Sequence, residues 1–273
     1  MFHAADDHWT EGGNTDSITV TMSDVNTPVV LVSPAMAIGS HFYGRVVEAF
    51  ESRGWHARAL PRRGFERDGV RASRRHDWSY ADEIADTAEA VAKARAEFPD
   101  HPVLLLGHSL GGHVAVGHQL THEPADGIVL VGASLPHFRY YPHAGLGLLT
   151  MGLLVPLASA VRGFVPPPLF GAPGARTLMR EWAHVARTGG APFPVPHRID
   201  TPTLAIDLEG DRYAVAAASR HFERTLIEPS ALTRWDYRRA DTPEGGSTHH
   251  VFWAKTPDPV VDQVVTWWAD VSR

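Results

Sequence analysis

A serine stands between two glycines at residues 107–111, where the chain reads Gly-His-Ser-Leu-Gly. An apolar run of strand length, 103–106, precedes this pentapeptide, and a small-residue segment with a helical pattern follows it. In a tight turn from strand to helix a serine is exposed as a nucleophile, and glycines two positions to either side avoid a Cβ clash. The pattern therefore predicts that Ser109 is a nucleophile and that Gly107 and Gly111 make its turn possible.

A serine hydroxyl is a poor nucleophile near neutral pH, so it needs an imidazole to take its proton and a carboxylate to orient that imidazole. In strand-turn-helix hydrolases the acid follows the serine in the chain, and the histidine follows the acid. Three acids come at or after the end of a predicted strand, at the sheet edge where the nucleophile turn also lies. We predict Asp211, in the loop after Gly210, as the acid; Asp207 and Glu209 are the alternatives.

Two adjacent histidines, His249 and His250, follow the last predicted strand and a polar loop that contains Gly245 and Gly246. The chain has 17 histidines, so their position rather than their type singles them out. We predict His249 as the base, with His250 as the alternative. Neighbouring side chains diverge, and no histidine or acid at i+4 spacing completes a zinc site, so we expect no metal and no cofactor.

An oxyanion that develops on the substrate needs two backbone N–H donors. The residue after the nucleophile, Leu110, is predicted to supply one of them. The second should come from the loop after the first central strand, residues 33–40. Met36 is our candidate there, and Ala35 and Ala37 are the alternatives.

Apolar strand patterns alternate with amphipathic helix patterns along most of the chain, which predicts an α/β fold with a mostly parallel, doubly wound sheet. In the N-terminal tract, residues 18–22 are the clearest candidate for an edge strand. Strands are predicted at 29–32, 55–60, 103–106, 127–131, 203–208 and 232–237, and helices at 42–53, at 79–98 with Asp77 or Ser79 as the cap, after Ser109, and at 258–271.

The alternation stops at Leu135 and resumes near Thr203. The intervening stretch is rich in glycine and proline and contains an apolar block at 146–161 and a helical pattern at 176–187. A segment this long inside a compact domain is usually functional and often forms a lid. We therefore predict a core in two parts, residues 1–134 and 201–273, with a cap or lid insertion at 135–200.

Composition excludes several classes of protein. A chain of 273 residues with 44% hydrophobic residues can bury a sizeable core, and a net charge of −6 argues against nucleic acid as a partner. There are no cysteines, which is compatible with the cytoplasmic location that we expect. The apolar block at 146–161 is shorter than the roughly 20 residues of a membrane span, and residues 1–16 lack the apolar core of a signal peptide.

These motifs resemble the α/β-hydrolase superfamily, in particular bacterial serine hydrolases with an oxyanion loop of the Pro-Ala-Met-Gly type. Residues 107–112 are the most specific element, and residues 202–211 resemble the acid-bearing strand and loop of the family. The chain departs from the family at Thr248, where a glycine often precedes the histidine, at Ala37, where a glycine is usual, and at 61–66, which lacks an aspartate and a second glycine. The resemblance extends from about Val29 to the last helix and implies an α/β-hydrolase fold.

The predicted activity is that of a metal-independent serine hydrolase, similar to an esterase, lipase or thioesterase. It would cleave a carboxylic ester or thioester through an acyl-enzyme on Ser109, and the apolar insertion suggests an apolar acyl substrate. One alternative is an acyltransferase or cyclase that uses the same acyl-enzyme, and another is a non-catalytic relative that binds a small molecule. His108 is expected to pack beneath the turn, and His113 to be a packing or surface residue. The oligomeric state stays open.

Overall fold

A computed structural model describes residues 27–167 and 172–272 of the chain. The edge strand predicted at 18–22 and the N-terminal residues 1–16 lie outside these ranges.

Within the described residues, eight strands form two sheets. The strands are β1 (Val29–Ser33), β2 (His56–Ala59), β3 (Val103–His108), β4 (Gly127–Val131), β5 (Phe164–Val165), β6 (Gly174–Ala175), β7 (Thr203–Leu208) and β8 (Leu232–Tyr237). The larger sheet has six strands, all parallel, in the order β2-β1-β3-β4-β7-β8. The smaller sheet pairs β5 with β6 in antiparallel fashion.

Alternate residues of a strand point to opposite faces of the sheet, and here both sets are apolar. Helices therefore cover both faces of the large sheet. Val30 and Leu104 pack in a cluster with helices α1 (Gly44–Glu51) and α7 (Asp258–Val271). Leu31 and Leu105 pack on the other face with helices α2 (Tyr80–Glu97) and α3 (Leu110–Thr121). The predicted doubly wound parallel sheet is confirmed. The helices are α1 (Gly44–Glu51), α2 (Tyr80–Glu97), α3 (Leu110–Thr121), α4 (Leu146–Arg162), α5 (Arg176–Thr188), α6 (Ala216–Leu226) and α7 (Asp258–Val271).

Helix α2 begins with a reciprocal capping box. The Asp82 N–H donates to the Ser79 hydroxyl at 3.2 Å, and the Ser79 N–H donates to the Asp82 carboxylate at 2.7 Å. Of the two predicted caps, Ser79 is therefore the cap. Asp77 instead accepts hydrogen bonds from Thr177 in the first turn of α5, which ties the start of α2 to the segment between β4 and β7.

The segment between β4 and β7 carries α4, the small β5–β6 sheet and α5. A Cβ at Gly152 of α4 would lie 2.9 Å from the Arg187 side chain and 3.4 Å from the Ala183 carbonyl oxygen, so this glycine allows α4 to pack closely on α5. The division into core and insertion predicted from the sequence stays a prediction.

Helix α4 is apolar on its outer face as well as its inner one. The helical stretch His143–Arg162 has 20 residues and a mean hydropathy of 1.9, which is long and apolar enough to cross a membrane by length and composition alone. Only 22% of its apolar window is buried. Five large side chains at helical spacing on one face are 56–67% exposed: Leu146, Leu153, Leu154, Leu157 and Val161.

Candidate active site

Ser109 occupies a strained turn between β3 and α3. Its φ of 54° and ψ of −116° lie in a region that residues with a side chain rarely adopt. A Cβ at Gly107 would lie 2.5 Å from the Cα of Gly112, and a Cβ at Gly111 would collide with the carbonyl oxygen of Ser33. Both glycines are therefore required where the sequence analysis places them, because α3 crosses directly over β3 and the end of β1.

Three side chains from distant parts of the chain meet at this turn. The hydroxyl of Ser109 lies 2.9 Å from Nε2 of His250, and Nδ1 of His250 lies 2.6 Å from Oδ2 of Asp211. The Asp211 and His250 side chains are only 2% and 7% exposed. The arrangement has the order and contacts of a nucleophile, a base and an acid that orients the base.

The hydrogen bonds around Asp211 determine which way the protons point. Its other carboxylate oxygen accepts the backbone N–H groups of Tyr213 at 2.7 Å and Ala214 at 3.1 Å. Burial raises the pKa of Asp211, but the hydrogen bond from His250 and these amide donors outweigh it and hold the pKa below the usual range. An ionised Asp211 can only accept, so His250 carries its proton on Nδ1. Nε2 is then free to accept the Ser109 proton.

His249 does not join this group. The sequence analysis preferred His249 to His250, but the structure places His250 beside Ser109. Its ring is exposed and stacks on Phe252, with 4.6 Å between the ring centroids. Its Nδ1 accepts the N–H of Val251 at 3.2 Å, in the turn that follows β8. Because adjacent side chains in this turn point in different directions, only one of the two histidines can face Ser109.

The alternative acids lie elsewhere. Asp207, on β7, forms an ion pair with Arg220 of α6 at 2.9 Å. The side chain of Glu209 accepts the backbone N–H of Arg239 at 2.8 Å. Of the three acids considered from the sequence, the structure brings only Asp211 to His250.

The predicted oxyanion donors flank the serine. Leu110 is the first residue of α3, so its N–H lies outside the hydrogen-bond ladder of the helix. Met36 lies in a turn after β1 in which Ala37 takes a φ of 65°.

Side chains from elsewhere in the chain hold this loop in place. Arg62 donates a hydrogen bond to the carbonyl oxygen of Pro34, and Arg62 is itself paired with Glu83 at 2.7 Å in a buried contact. The Ala35 N–H is bonded to the Tyr43 hydroxyl at 2.9 Å, which removes Ala35 as a free donor.

A cavity of about 560 Å³ opens in front of Ser109. Most of its lining is apolar, and α4, α5 and the loop before them contribute Pro136, Tyr141, Leu148, Met151 and Trp182. The core contributes Ala35, Met36, Ile38, Ser109, Leu110, His113, Ser134, Arg212, Tyr213, His250 and Val251. A cavity of this size and lining accommodates a small, largely apolar molecule beside the serine.

Several residues at the site escaped the sequence analysis. A Cβ at Gly132, directly after β4, would lie 3.2 Å from both Asp211 Oδ2 and His250 Nδ1, so this glycine leaves room for their contact. The ring of Tyr213 lies 5.0 Å from that of His250, and the Tyr141 hydroxyl donates to the Tyr213 carbonyl oxygen at 2.5 Å. A glycine that ends a buried strand was the one available signal for Gly132. Nothing local marks the two tyrosines.

Comparison with known proteins gives one family match. Residues 25–163 match the family named Hydrolase_4 and described as serine aminopeptidase, S33. A search among curated proteins found no significant match.

Many solved structures share the fold. MenH from S. aureus is 16% identical, with a TM-score of 0.58 over 92% of this chain and 97% of that one. An esterase from Exiguobacterium antarcticum is 14% identical, with a TM-score of 0.56 over 89% and 92%. A soluble variant of monoglyceride lipase from Saccharomyces cerevisiae is 13% identical, with a TM-score of 0.57 over 87% of each chain. At these identities the likeness establishes the fold alone.

Proposed function

Because the chain belongs to the Hydrolase_4 family of α/β-hydrolases, we propose that it is a serine hydrolase that cleaves a carboxylic ester or thioester through an acyl-enzyme on Ser109. The observation that carries the proposal is the continuous hydrogen-bonded chain from Ser109 through His250 to Asp211. These hydrogen bonds end at a serine on a strained turn that faces a largely apolar cavity.

In the first half-reaction, Oγ of Ser109 attacks the substrate carbonyl carbon while Nε2 of His250 takes the hydroxyl proton. Asp211 stays ionised, keeps the proton of His250 on Nδ1 and stabilises the imidazolium that forms. The N–H groups of Leu110 and Met36 donate to the tetrahedral oxyanion, and such donors together contribute several kcal/mol of transition-state stabilisation. The imidazolium then protonates the leaving alcohol or thiol, whose bond to the acyl carbon breaks.

In the second half-reaction, a water molecule takes the place of the leaving group. His250 removes a proton from this water as its oxygen attacks the acyl carbon, and the proton then returns to Oγ of Ser109 as the carboxylic acid leaves. An acceptor alcohol or amine in the place of water would make the same acyl-enzyme a transferase intermediate.

The lining of the cavity supports an apolar acyl group as the part of the substrate that binds. Leu148 and Met151 of α4, Trp182 of α5, and Ile38 and Val251 of the core contribute apolar surface. Arg212 is the only lysine or arginine among the described residues that line the cavity, and it is exposed, so we place a polar or solvated part of the substrate toward it.

The test is covalent labelling with a fluorophosphonate probe, together with turnover of a series of p-nitrophenyl esters of increasing acyl length. We expect labelling of Ser109, located by peptide mass spectrometry, and turnover that Ser109→Ala abolishes.

His250→Ala and His249→Ala form a matched pair of adjacent substitutions. The first is expected to lower kcat by about 10³-fold or more, and the second to leave it within about twofold.

Two results would remove the proposal. One is a wild-type protein that neither reacts with the probe nor turns over any activated ester. The other is an equal loss of activity in the His249 and His250 variants, since the proposed mechanism uses only His250 as the base.

A further inference from the structure

A second chain of hydrogen bonds runs beneath the active site and includes none of the three side chains above. The N–H of Ala35 lies 2.9 Å from the hydroxyl of Tyr43, and this hydroxyl lies 2.7 Å from Nδ1 of His108. Nε2 of His108 lies 2.7 Å from the backbone carbonyl oxygen of His250. Both Tyr43 and His108 have no exposed surface, so water does not compete for these contacts.

Only one arrangement of protons satisfies every group in this chain. The Ala35 amide can only donate, so the Tyr43 oxygen accepts from it and uses its own proton as a donor to His108 Nδ1. Nδ1 of His108 is therefore unprotonated. The carbonyl oxygen of His250 can only accept, so the proton of His108 is on Nε2. The chain runs in one direction, from the amide of Ala35 to the carbonyl of His250.

The two ends of this chain lie in the two loops that must be placed relative to Ser109. Ala35 directly precedes Met36 in the loop after β1, which is the proposed oxyanion loop. The carbonyl at the other end belongs to His250 itself, in the loop after β8. In the sheet, β1 and β8 are separated by β3, β4 and β7, so no ladder connects the two loops directly. His108, the last residue of β3, stands between them and immediately precedes the nucleophile.

Packing holds the middle of the chain in place. The ring of Trp253, three residues after His250, meets the His108 ring edge-on, with 5.5 Å between the centroids. The Tyr43 ring contacts the His108 ring at 5.9 Å, also edge-on. Burial lowers the pKa of His108 to about 3, so the ring stays neutral and the direction of the chain persists across the working range of pH.

We propose that Tyr43 and His108 are positioning residues that set the oxyanion loop and the base His250 at one fixed spacing around Ser109. The proposal rests on the function proposed above and concerns the same site. A transition state must be held by the oxyanion donors and the base at once, and small errors in their spacing cost rate. The loss of the Tyr43 hydroxyl should therefore lower kcat more than it raises KM.

The main test is Tyr43→Phe, which keeps the ring and its packing but removes both hydrogen bonds of the hydroxyl. We expect kcat for the best p-nitrophenyl ester to fall about tenfold or more and KM to change less than about twofold. Tyr237→Phe is the matched control, because Tyr237 is equally buried and its hydroxyl has no hydrogen-bond partner among the described residues. Its kcat and KM are expected to equal those of the wild type.

A second pair of variants tests His108. His108→Gln keeps an N–H group that can reach the His250 carbonyl, whereas His108→Leu is of similar size and has no polar atom. We expect the glutamine variant to retain clearly more kcat than the leucine variant. If both fail to fold, the Tyr43 and Tyr237 variants still decide the proposal.

A readout independent of turnover is ¹⁵N NMR of protein labelled at histidine. The wild-type His108 ring is expected to show a protonated Nε2 and a bare Nδ1 that do not change between about pH 5 and pH 9. In Tyr43→Phe, the ring signals of both His108 and His250 should shift, because the position of the base depends on the chain.

The outcomes separate this inference from the proposed function. If the wild type is neither labelled at Ser109 nor turns over any activated ester, the proposed function fails, and the NMR spectra alone decide on the positioning chain. If the wild type is active but Tyr43→Phe keeps its kcat within about twofold, or leaves the His250 signals in place, Tyr43 and His108 are structural only and the inference is overturned.

Discussion

At the scale of single residues, the direction of each hydrogen bond follows from which groups can only donate or only accept. Asp211 accepts from His250, and His250 accepts from Ser109, so the serine proton has a single destination. Beneath them, His108 has the opposite tautomer, with its proton on Nε2. Two histidines of one site thus hold their single protons on different nitrogens because their partners differ.

Asp211→Asn should reverse the direction of the hydrogen bond to His250 without changing the size of the side chain. The amide group would donate to Nδ1 of His250, so the proton of the imidazole would move to Nε2, where it blocks acceptance from Ser109. We expect kcat to fall about 10⁴-fold, measured by ester turnover with the folded state checked by circular dichroism.

The matched substitution is Asp207→Asn. It removes a nearby acid, on β7, that pairs with Arg220 rather than with His250. Its kcat is expected to remain near that of the wild type. A comparable loss in both variants would show that the orientation of His250 does not depend on Asp211 in particular.

At the scale of secondary-structure elements, the site depends on how closely α3 approaches the ends of β1 and β3. Gly111→Ala tests this approach, because its Cβ would collide with the carbonyl oxygen of Ser33 and only the backbone could move away. We expect a loss of more than about 3 kcal/mol in the free energy of unfolding, measured by urea denaturation.

Gly44→Ala is the control for the glycine-to-alanine change itself. A Cβ there would lie within 4 Å of none of residues 27–167 and 172–272, and the φ of −52° is helical. This variant should be as stable as the wild type or more stable by up to about 1 kcal/mol. If Gly111→Ala were equally harmless, the close approach of α3 to β1 would not be a requirement of the fold.

The loop after β1 is also fixed to α2 by the buried Arg62–Glu83 pair, whose side chains are 4% and 3% exposed. Burial raises the pKa of Glu83, although the nearby Arg62 guanidinium opposes this. Glu83→Ala leaves a buried guanidinium without its partner and is expected to lower the free energy of unfolding by about 3–5 kcal/mol.

An exposed pair between α2 and the loop after β2, the loop that also carries Arg62, provides the comparison. Arg63 and Asp86 are 41% and 43% exposed at 2.6 Å, so Asp86→Ala should cost less than about 1 kcal/mol in the same denaturation experiment. Similar costs for the two variants would mean that burial does not decide the contribution of the Arg62–Glu83 pair.

At the scale of the whole molecule, burial of neutral histidines couples stability to pH. Burial lowers the pKa of His118 to about 4, and it is the main cause of the similar lowering for His113. Between pH 6.5 and about 4 the unfolded chain therefore binds a proton at His118 that the folded chain does not, so the folded state loses stability as the pH falls.

His118→Gln removes this one contribution and is remote from the residues that line the cavity. Relative to the variant, the wild type should lose about 1.4 kcal/mol of unfolding free energy per pH unit below pH 6.5, measured by denaturation at several pH values. Burial raises the pKa of Glu83, Glu181 and Asp207, which acts in the opposite sense, but it does so in both proteins and cancels in the difference. Parallel stability curves would contradict the prediction.

Much of the fold could be predicted from the sequence because its signals are local. Strands β4, β7 and β8 and helix α7 begin and end where they are predicted. The buried strands β4 and β7 read as largely apolar runs, and α7 repeats apolar residues on one face. The turn at Ser109 also has a local sequence signal, the two glycines that flank the serine after an apolar strand, although Gly111 is required by a contact with Ser33 of the distant strand β1. Helix α6 was not predicted, although Ala218, Phe222 and Leu226 recur at helical spacing on its buried face.

The sequence by itself thus predicted the order of the strands in the chain, and it singled out Ser109 and Asp211, the serine and the acid that the structure brings to His250. Only the tertiary structure decided between His249 and His250, because the direction of each side chain depends on how the turn after β8 packs against His108 and Trp253. It alone also joined Tyr43 and His108 into one chain and left the outer face of α4 exposed. These features arise from contacts between residues far apart in sequence, and no local pattern of residue types encodes such contacts.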